Sequence, residues 1–229
     1  MTRDRDASHG EEAPGTQRSA QTLDVSGCAQ TLDVSHCAQT LDISHCAQTL
    51  DISCCALVLV DYQQRLMPQI HNGAAMLAQG VKLGQVAQEL RVPVLGTEQN
   101  PGRLGPNSDA LRALCSHTLP KMHFDACREG LLQQLQQCRP AAPRSVVVAG
   151  CEAHVCLLQT SLGLLRAGLD VWVVADACGS RLASSHELAM QRLRGAGAHI
   201  VSFEMVAFEW LQSCEHDRFK AVLQVLKAA

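Results

Sequence analysis

The chain has 229 residues with 19 Lys+Arg against 22 Asp+Glu, a formal net charge of -3, and is 47% hydrophobic and 18% charged. That length serves one domain, or a domain with a tail, and the core is large enough to stand without staples. The near-neutral charge gives no general attraction to nucleic acid or anionic membrane, and no apolar run reaches the ~20 residues of a bilayer span. The opening MTRDRDASHGEEAPGTQRSA is polar and acidic, unlike a signal or transit peptide, so the 12 cysteines read as mostly reduced thiols of a cytoplasmic protein. A disulfide scaffold belongs to short secreted chains, and zinc is poorly supported because no CxxC pair occurs. Two Trp and one Tyr also argue against a base-stacking surface.

Four nonapeptides then run head to tail from Ala20 to Cys55: AQTLDVSGC, AQTLDVSHC, AQTLDISHC and AQTLDISCC. One reading is a short solenoid or metal-binding array, with Cys28, Cys37 and Cys46 at a fixed period and His36 and His45 beside two of them. So few short units scarcely bury a core of their own, so a low-complexity, disordered or weakly ordered tail over 1–52 is the expectation. A single domain is expected over 53–229.

From Cys55 the run CALVLV predicts a strand buried on both faces, ending at Asp61. Apolar spacing predicts a helix from about Asn72 to Leu90, and VPVLGT a second strand stopping before Glu98. The turn-rich QNPGRLGPNSD is a loop, and HTLPKMHF a third, shorter strand. CREGLLQQLQQC is helix-compatible and leads to SVVVAG, the clearest buried strand. HVCLLQTSLGLLRAG is an apolar helix stopped by Gly168, followed by DVWVVADA, a helix from about Ser184 to Arg194, the strand AHIVSF and C-terminal helical segments. Alternating strands and helices predict a three-layer, doubly wound, Rossmann-like α/β fold, its mostly parallel sheet covered on both faces by helices. Reactive groups then gather at the carboxyl ends of the strands.

Three strand ends carry candidate chemistry. Asp61 follows CALVLV and reads as a general base, a metal ligand or a helix cap. Lys121 lies beside apolar Leu119, Met122 and Phe124; alone it would snorkel to water, but held near a carboxylate and a thiol it keeps both ionised. Cys156 opens a helix, where the dipole and free backbone N–H groups favour a thiolate at neutral pH and can bind an oxyanion. The bland alternative for Cys156 is a small buried hydrophobe.

Asp, Lys and Cys in that order, within LVLVDYQ at 57–63, GTEQNPGRLGPN at 96–107, LPKMHFDA at 119–126 and VVVAGCEAHVC at 146–156, resemble the isochorismatase-like cysteine hydrolases. That superfamily includes nicotinamidases, carbamoylsarcosine amidases and isochorismatases. The likeness runs from about Cys55 to Lys220, and TEQNPxxLGPN resembles the isochorismatase domain-containing subgroup more than any member with a settled substrate; the repeats have no counterpart there. The resemblance implies Cys156 as nucleophile, Asp61 as general acid/base and Lys121 as charge stabiliser. It further implies a cis peptide between Cys151 and Glu152 that aims the N–H groups of Val155 and Cys156 at a substrate oxygen. Cys151 ends a strand rather than opening a helix and reads as structural. Gln63, Glu98, Gln99 and Phe124 are candidate pocket liners, with loop structure or packing as the alternative for each; His154 and His123 read as supporting residues.

The reaction so implied is hydrolysis of a small amide, carbamoyl or related compound through a thioester. Vinyl-ether hydrolysis of the isochorismate type, which does not need the cysteine, and a silent binding or scaffolding module are the alternatives. Nicotinamidases carry an Asp/His metal cluster after the second strand; Glu98-Gln99-Asn100-Pro101 here is a poor zinc shell, so neither a catalytic metal nor another cofactor is expected. The expected partners are a small-molecule substrate and further copies of the chain in a homo-oligomer, with no nucleic acid and no membrane.

Overall fold

Six consecutive apolar or small residues, Cys55–Val60, form β1 with every one buried, as a central parallel strand requires. A computed structural model of the chain describes residues 49–139 and 141–228. The other strands are β2 (Val94–Gln99), β3 (His117–Lys121), β4 (Ser145–Cys151), β5 (Asp170–Gly179) and β6 (His199–Val201). The helices are α1 (Gly73–Glu89), α2 (Pro101–Leu104), α3 (Asp109–Arg112), α4 (Leu131–Gln137), α5 (Leu158–Arg166), α6 (Ala183–Gly195), α7 (Phe203–Leu211) and α8 (Phe219–Lys227). Among the described residues the strands make one six-stranded sheet in the order β3-β2-β1-β4-β5-β6, and every pairing is parallel. The expected three-layer α/β architecture is thus the one observed.

Period-two alternation sorts each strand into two cores. Leu57, Leu59, Val147, Ala149 and Cys151 join α1, α7 and α8 on one face. Ala56, Val58, Val60, Val146 and Val148 join α4, α5 and α6 on the other. The order reverses between β1 and β4, the switch point where doubly wound sheets open a crevice at their carboxyl edge. Gly150 makes the closure there possible. Its φ is 138°, and a Cβ would lie 2.0 Å from the Val60 carbonyl oxygen, so only glycine lets β4 approach β1 this closely.

Several segments differ from expectation. β2 continues through Glu98 and Gln99 because β3 pairs with it to the end, Gln99 opposite Lys121. A short helix, α2, lies within the segment expected to be loop, and α3 begins at its last residue, Asp109. The helix around 127–138 is broken at Gly130, whose φ of 102° separates a 3-10 turn (Ala126–Glu129) from α4. The chain ahead of α5 forms a π-turn, Ala153–Leu157. No helix among the described residues is long and apolar enough to cross a membrane.

The first three nonapeptides, with Cys28, Cys37, Cys46, His36 and His45, lie outside the described residues. The fourth copy contributes to the core. Leu50 is 1% exposed within the α1 face cluster, and its N–H donates to a Glu209 carboxylate oxygen at 2.8 Å. Asp51 caps the following turn by accepting from the Ser53 N–H and hydroxyl. Leu50→Ala is therefore expected to lower the unfolding free energy by about 2–5 kcal/mol in urea titration, the usual cost of emptying a well-packed leucine site. A loss below about 1 kcal/mol would show that Leu50 does not belong to the cooperative core.

Candidate active site

The carboxyl edge of the sheet brings Asp61, Lys121 and Cys156 together from three strand ends. Asp61 is the residue after β1, entirely buried, with φ at 51°, a left-handed conformation that few non-glycine residues other than Asn and Asp adopt readily. Its N–H donates to the Thr97 carbonyl at 3.2 Å. Its carboxylate accepts from the Thr97 hydroxyl at 2.7 Å on Oδ1 and from Lys121 Nζ at 2.8 Å on Oδ2. Lys121 is the last residue of β3, its side chain fully buried, and Nζ also donates to Gln99 Oε1 at 2.6 Å. That second bond follows from register, since directly opposed residues of paired strands place their side chains on one face.

Cys156 lies in the π-turn, 6% exposed, with Sγ 3.7 Å from Gln99 Oε1. Single π-turns inside helices are frequent at functional sites. Burial pushes its thiol up to about 12, and the Asp61 carboxylate adds to the rise while the Lys121 ammonium opposes it. The expectation of a preformed thiolate is therefore corrected. Desolvation and the carboxylate outweigh the lysine, and the resting sulfur keeps its proton.

The remaining site candidates divide. Gln99 belongs to the cluster: besides its oxygen contacts, its Nε2 donates to the Met122 carbonyl at 2.8 Å. Glu98, expected in the pocket, faces the opposite side of β2, where its carboxylate receives the Asn107 N–H at 2.8 Å; strand alternation sends it away from Lys121. Gln63 is buried but engaged with backbone, donating to the Gln99 and Gly105 carbonyls at 3.0 and 2.6 Å and accepting the Gln99 N–H at 2.9 Å. It braces the end of β2 rather than lining a pocket. Phe124, in the loop beyond β3, is 48% exposed. The Cys151–Glu152 peptide is cis. Of the two expected oxyanion donors, the Val155 N–H is engaged with the Glu152 carbonyl at 2.9 Å. The Glu152 carboxylate pairs with Arg181 at 3.0 Å.

Cys151 is separated from the cluster by the sheet. Its sulfur packs 3.6 Å and 3.9 Å from those of Met67 and Met76 in the α1-face core, and burial holds its thiol far above the usual range. His154 contacts the Ser180 hydroxyl at 3.0 Å and His123 the Glu129 carboxylate at 2.6 Å, both away from Asp61, Lys121 and Cys156. Sequence reading missed Thr97 and Asn107. Thr97 orients the Asp61 carboxylate, and Asn107 Nδ2 holds the Thr97 carbonyl at 2.9 Å. Extending the alternation of β2 by two residues from Gln99 would have found Thr97. Among the described residues no three His, Cys, Asp or Glu side chains gather as metal ligands.

An isochorismatase domain matches residues 55–205. Isochorismatase domain-containing protein 2 of Xenopus laevis is 33% identical over 170 residues, 74% of this chain and 82% of that protein. The MAR1 ribonuclease of Caenorhabditis elegans superposes with a TM-score of 0.74 at 27% identity, over 80% of this chain and 94% of its own. The YcaC gene product of Escherichia coli, an octameric hydrolase of unknown specificity, superposes with a TM-score of 0.71 at 24% identity, over 78% of this chain and 88% of its own. With its own α/β sheet and strand-end cluster alongside these likenesses, the chain belongs to the isochorismatase family, a family of hydrolases.

The buried ion pair makes a stability prediction. Lys121→Met strands the Asp61 charge and is expected to cost about 3–5 kcal/mol in chemical denaturation, whereas Asp61→Asn combined with Lys121→Met recovers most of it. The thiols make another. Burial raises Cys55, Cys156 and Cys178 each to about 12. Above the usual thiol value near 8.5 the unfolded chain loses these protons first, so stability present below that pH is lost as pH rises toward about 12. Thermal melts between about pH 9 and 11 should show a steady fall in Tm; a flat profile would contradict the protonated thiols.

Proposed function

We propose that the chain is a cysteine-dependent hydrolase of small amide or carbamoyl compounds, with Cys156 as nucleophile, Asp61 as general base and acid, and Lys121 as charge stabiliser. The observation that carries this reading is the fully buried Lys121–Asp61 pair at 2.8 Å, set beside the Cys156 thiol in the turn ahead of α5. A structural ion pair has no need of a thiol, and a structural thiol has no need of the pair.

In this mechanism Asp61 takes the Cys156 proton as sulfur bonds to the substrate carbonyl carbon. The carbonyl π electrons move onto oxygen, where the Cys156 amide at the helix start meets the developing charge. Collapse breaks the C–N bond while protonated Asp61 returns its proton to the departing nitrogen, leaving a thioester. Water then attacks the thioester, giving a proton to Asp61 and breaking the C–S bond. A carboxylic acid leaves, and the proton passes back to sulfur. Throughout, Lys121 keeps a positive charge beside whichever group is anionic, while Thr97 fixes the carboxylate rotamer.

Vinyl-ether hydrolysis would leave Cys156 without a task. The name of the worm relative raises phosphodiester cleavage, but a net charge of -3 gives no general attraction to a polyanion. The homologous octamer supports assembly of this chain into a homo-oligomer.

Turnover of a panel of small amides and carbamoyl compounds, followed by ammonia or amine release, tests the proposal. Cys156→Ala should abolish hydrolysis, by about 10³-fold or more, since no covalent route remains. Cys151→Ala, on the other face of the sheet, should retain it. Equal loss from both substitutions would place the nucleophile elsewhere, and full activity in Cys156→Ala would end the thioester mechanism.

A further inference from the structure

Gln99 presents a carboxamide oxygen to the Cys156 sulfur, and that oxygen is only loosely engaged on the sulfur side. A carbonyl oxygen accepts two hydrogen bonds. Lys121 Nζ occupies one position on Gln99 Oε1 at 2.6 Å, and the Cys156 thiol faces it more loosely at 3.7 Å. The carboxamide cannot turn over to offer its NH2 instead. Nε2 is engaged with the Met122 carbonyl at 2.8 Å, and reversal would set an NH2 against the lysine ammonium. The backbone is held as firmly, since the single Gln63 side chain accepts from the Gln99 N–H at 2.9 Å and donates to its carbonyl at 3.0 Å. A fixed acceptor therefore stands beside the nucleophile, in a residue only 8% exposed.

We infer that Gln99 is the specificity-determining residue of the site, selecting substrates that carry an N–H on the carbonyl under attack and rejecting esters and N,N-disubstituted amides. The inference rests on the amidase reading and deepens it. When the thiol proton moves to Asp61 and sulfur bonds to the substrate carbon, the sulfur-facing position on Gln99 Oε1 has lost its S–H. The nitrogen of the substrate amide is one bond from that carbon, and its N–H fills the position. An ester places an alkoxy oxygen there, lone pair against lone pair, and a buried acceptor is left unpaired. Sites built around a polar contact discriminate in this way far more sharply than apolar pockets do. Gln63 acts through Gln99 as a positioning residue.

The test is alkylation of the full-length protein, which needs no turnover. Iodoacetamide, N,N-dimethyl-2-iodoacetamide and methyl iodoacetate each form a thioether with cysteine: a C–S bond forms, the C–I bond breaks, iodide leaves and the thiol proton goes to a base. Each places its carbonyl one carbon from sulfur, and only the first carries N–H. Rates at Cys156 are read by peptide mass spectrometry relative to exposed Cys214 in the same sample, which cancels intrinsic reactivity. The expected result is a preference for iodoacetamide at Cys156 over Cys214 of about tenfold against both other reagents, the worth of one hydrogen bond. Gln99→Met, similar in size, should reduce that preference to that of Cys214, and Gln99→Glu, which retains an acceptor, should keep it.

Equal preference at Cys156 and Cys214 in the unmodified chain overturns the inference whether or not either variant folds. So does a preference that survives Gln99→Met, which would make it steric. Labelling of Cys156 without selectivity removes only this inference. Failure of all three reagents at Cys156, with Cys214 labelled, removes the nucleophile reading and this one with it.

Discussion

A lysine ammonium held at 2.8 Å from a carboxylate, both without solvent exposure, is the constraint around which the carboxyl edge of this sheet is built. Taking two charges out of water is costly, and the mutual attraction offsets it only where geometry is good and the remaining donors and acceptors are met. Here each charge keeps a further partner. Thr97 donates to the carboxylate and Gln99 accepts from the ammonium, and each of those residues is held in turn, Thr97 by Asn107 and Gln99 by Gln63. The cluster is thus a buried hydrogen-bonded network at the carboxyl ends of β1, β2 and β3, with the thiol of the π-turn as its fourth side. A change at any member leaves a buried polar group unpaired.

The same network explains why the sulfur rests as a thiol. In water an adjacent lysine would favour the thiolate, but this lysine is already neutralised by Asp61, so little net positive potential reaches the sulfur while burial penalises its charge. In the proposed mechanism the proton stays on sulfur next to its acceptor and moves only when a carbonyl carbon shares the new charge. Gln99, fixed beside the Cys156 sulfur, is placed to meet a molecule that approaches it.

Placement also separates the two thiols of GCEAHVC. Cys151 ends β4 with its side chain on the α1 face against two methionine sulfurs, and Cys156 lies five residues on, against the opposite core. Alternation along β4 and the turn between them put the two side chains in different core clusters although they are close in sequence. Gly150 lets this crossing occur next to β1, because any side chain there would collide with the Val60 carbonyl.

Sequence alone determined the alternation of buried strands and amphipathic helices, hence the doubly wound sheet, and it singled out Asp61, Lys121 and Cys156, because continuous apolar runs and their first polar residues are local patterns. It placed Gln99 near the site but erred on Glu98 and Gln63. Where β2 ends is set by its pairing with β3 rather than by its own residues, and one residue of register decides which side chain faces the lysine. Thr97 and Asn107 were invisible for the same reason: a threonine in a strand and an asparagine in a turn have ordinary local explanations. The high thiol value likewise needed the folded chain, since a helix start and a lysine argue locally for a thiolate. Only the tertiary structure sums their effect against desolvation and a carboxylate from another strand, because burial and long-range charge belong to the packed molecule and not to any segment of it.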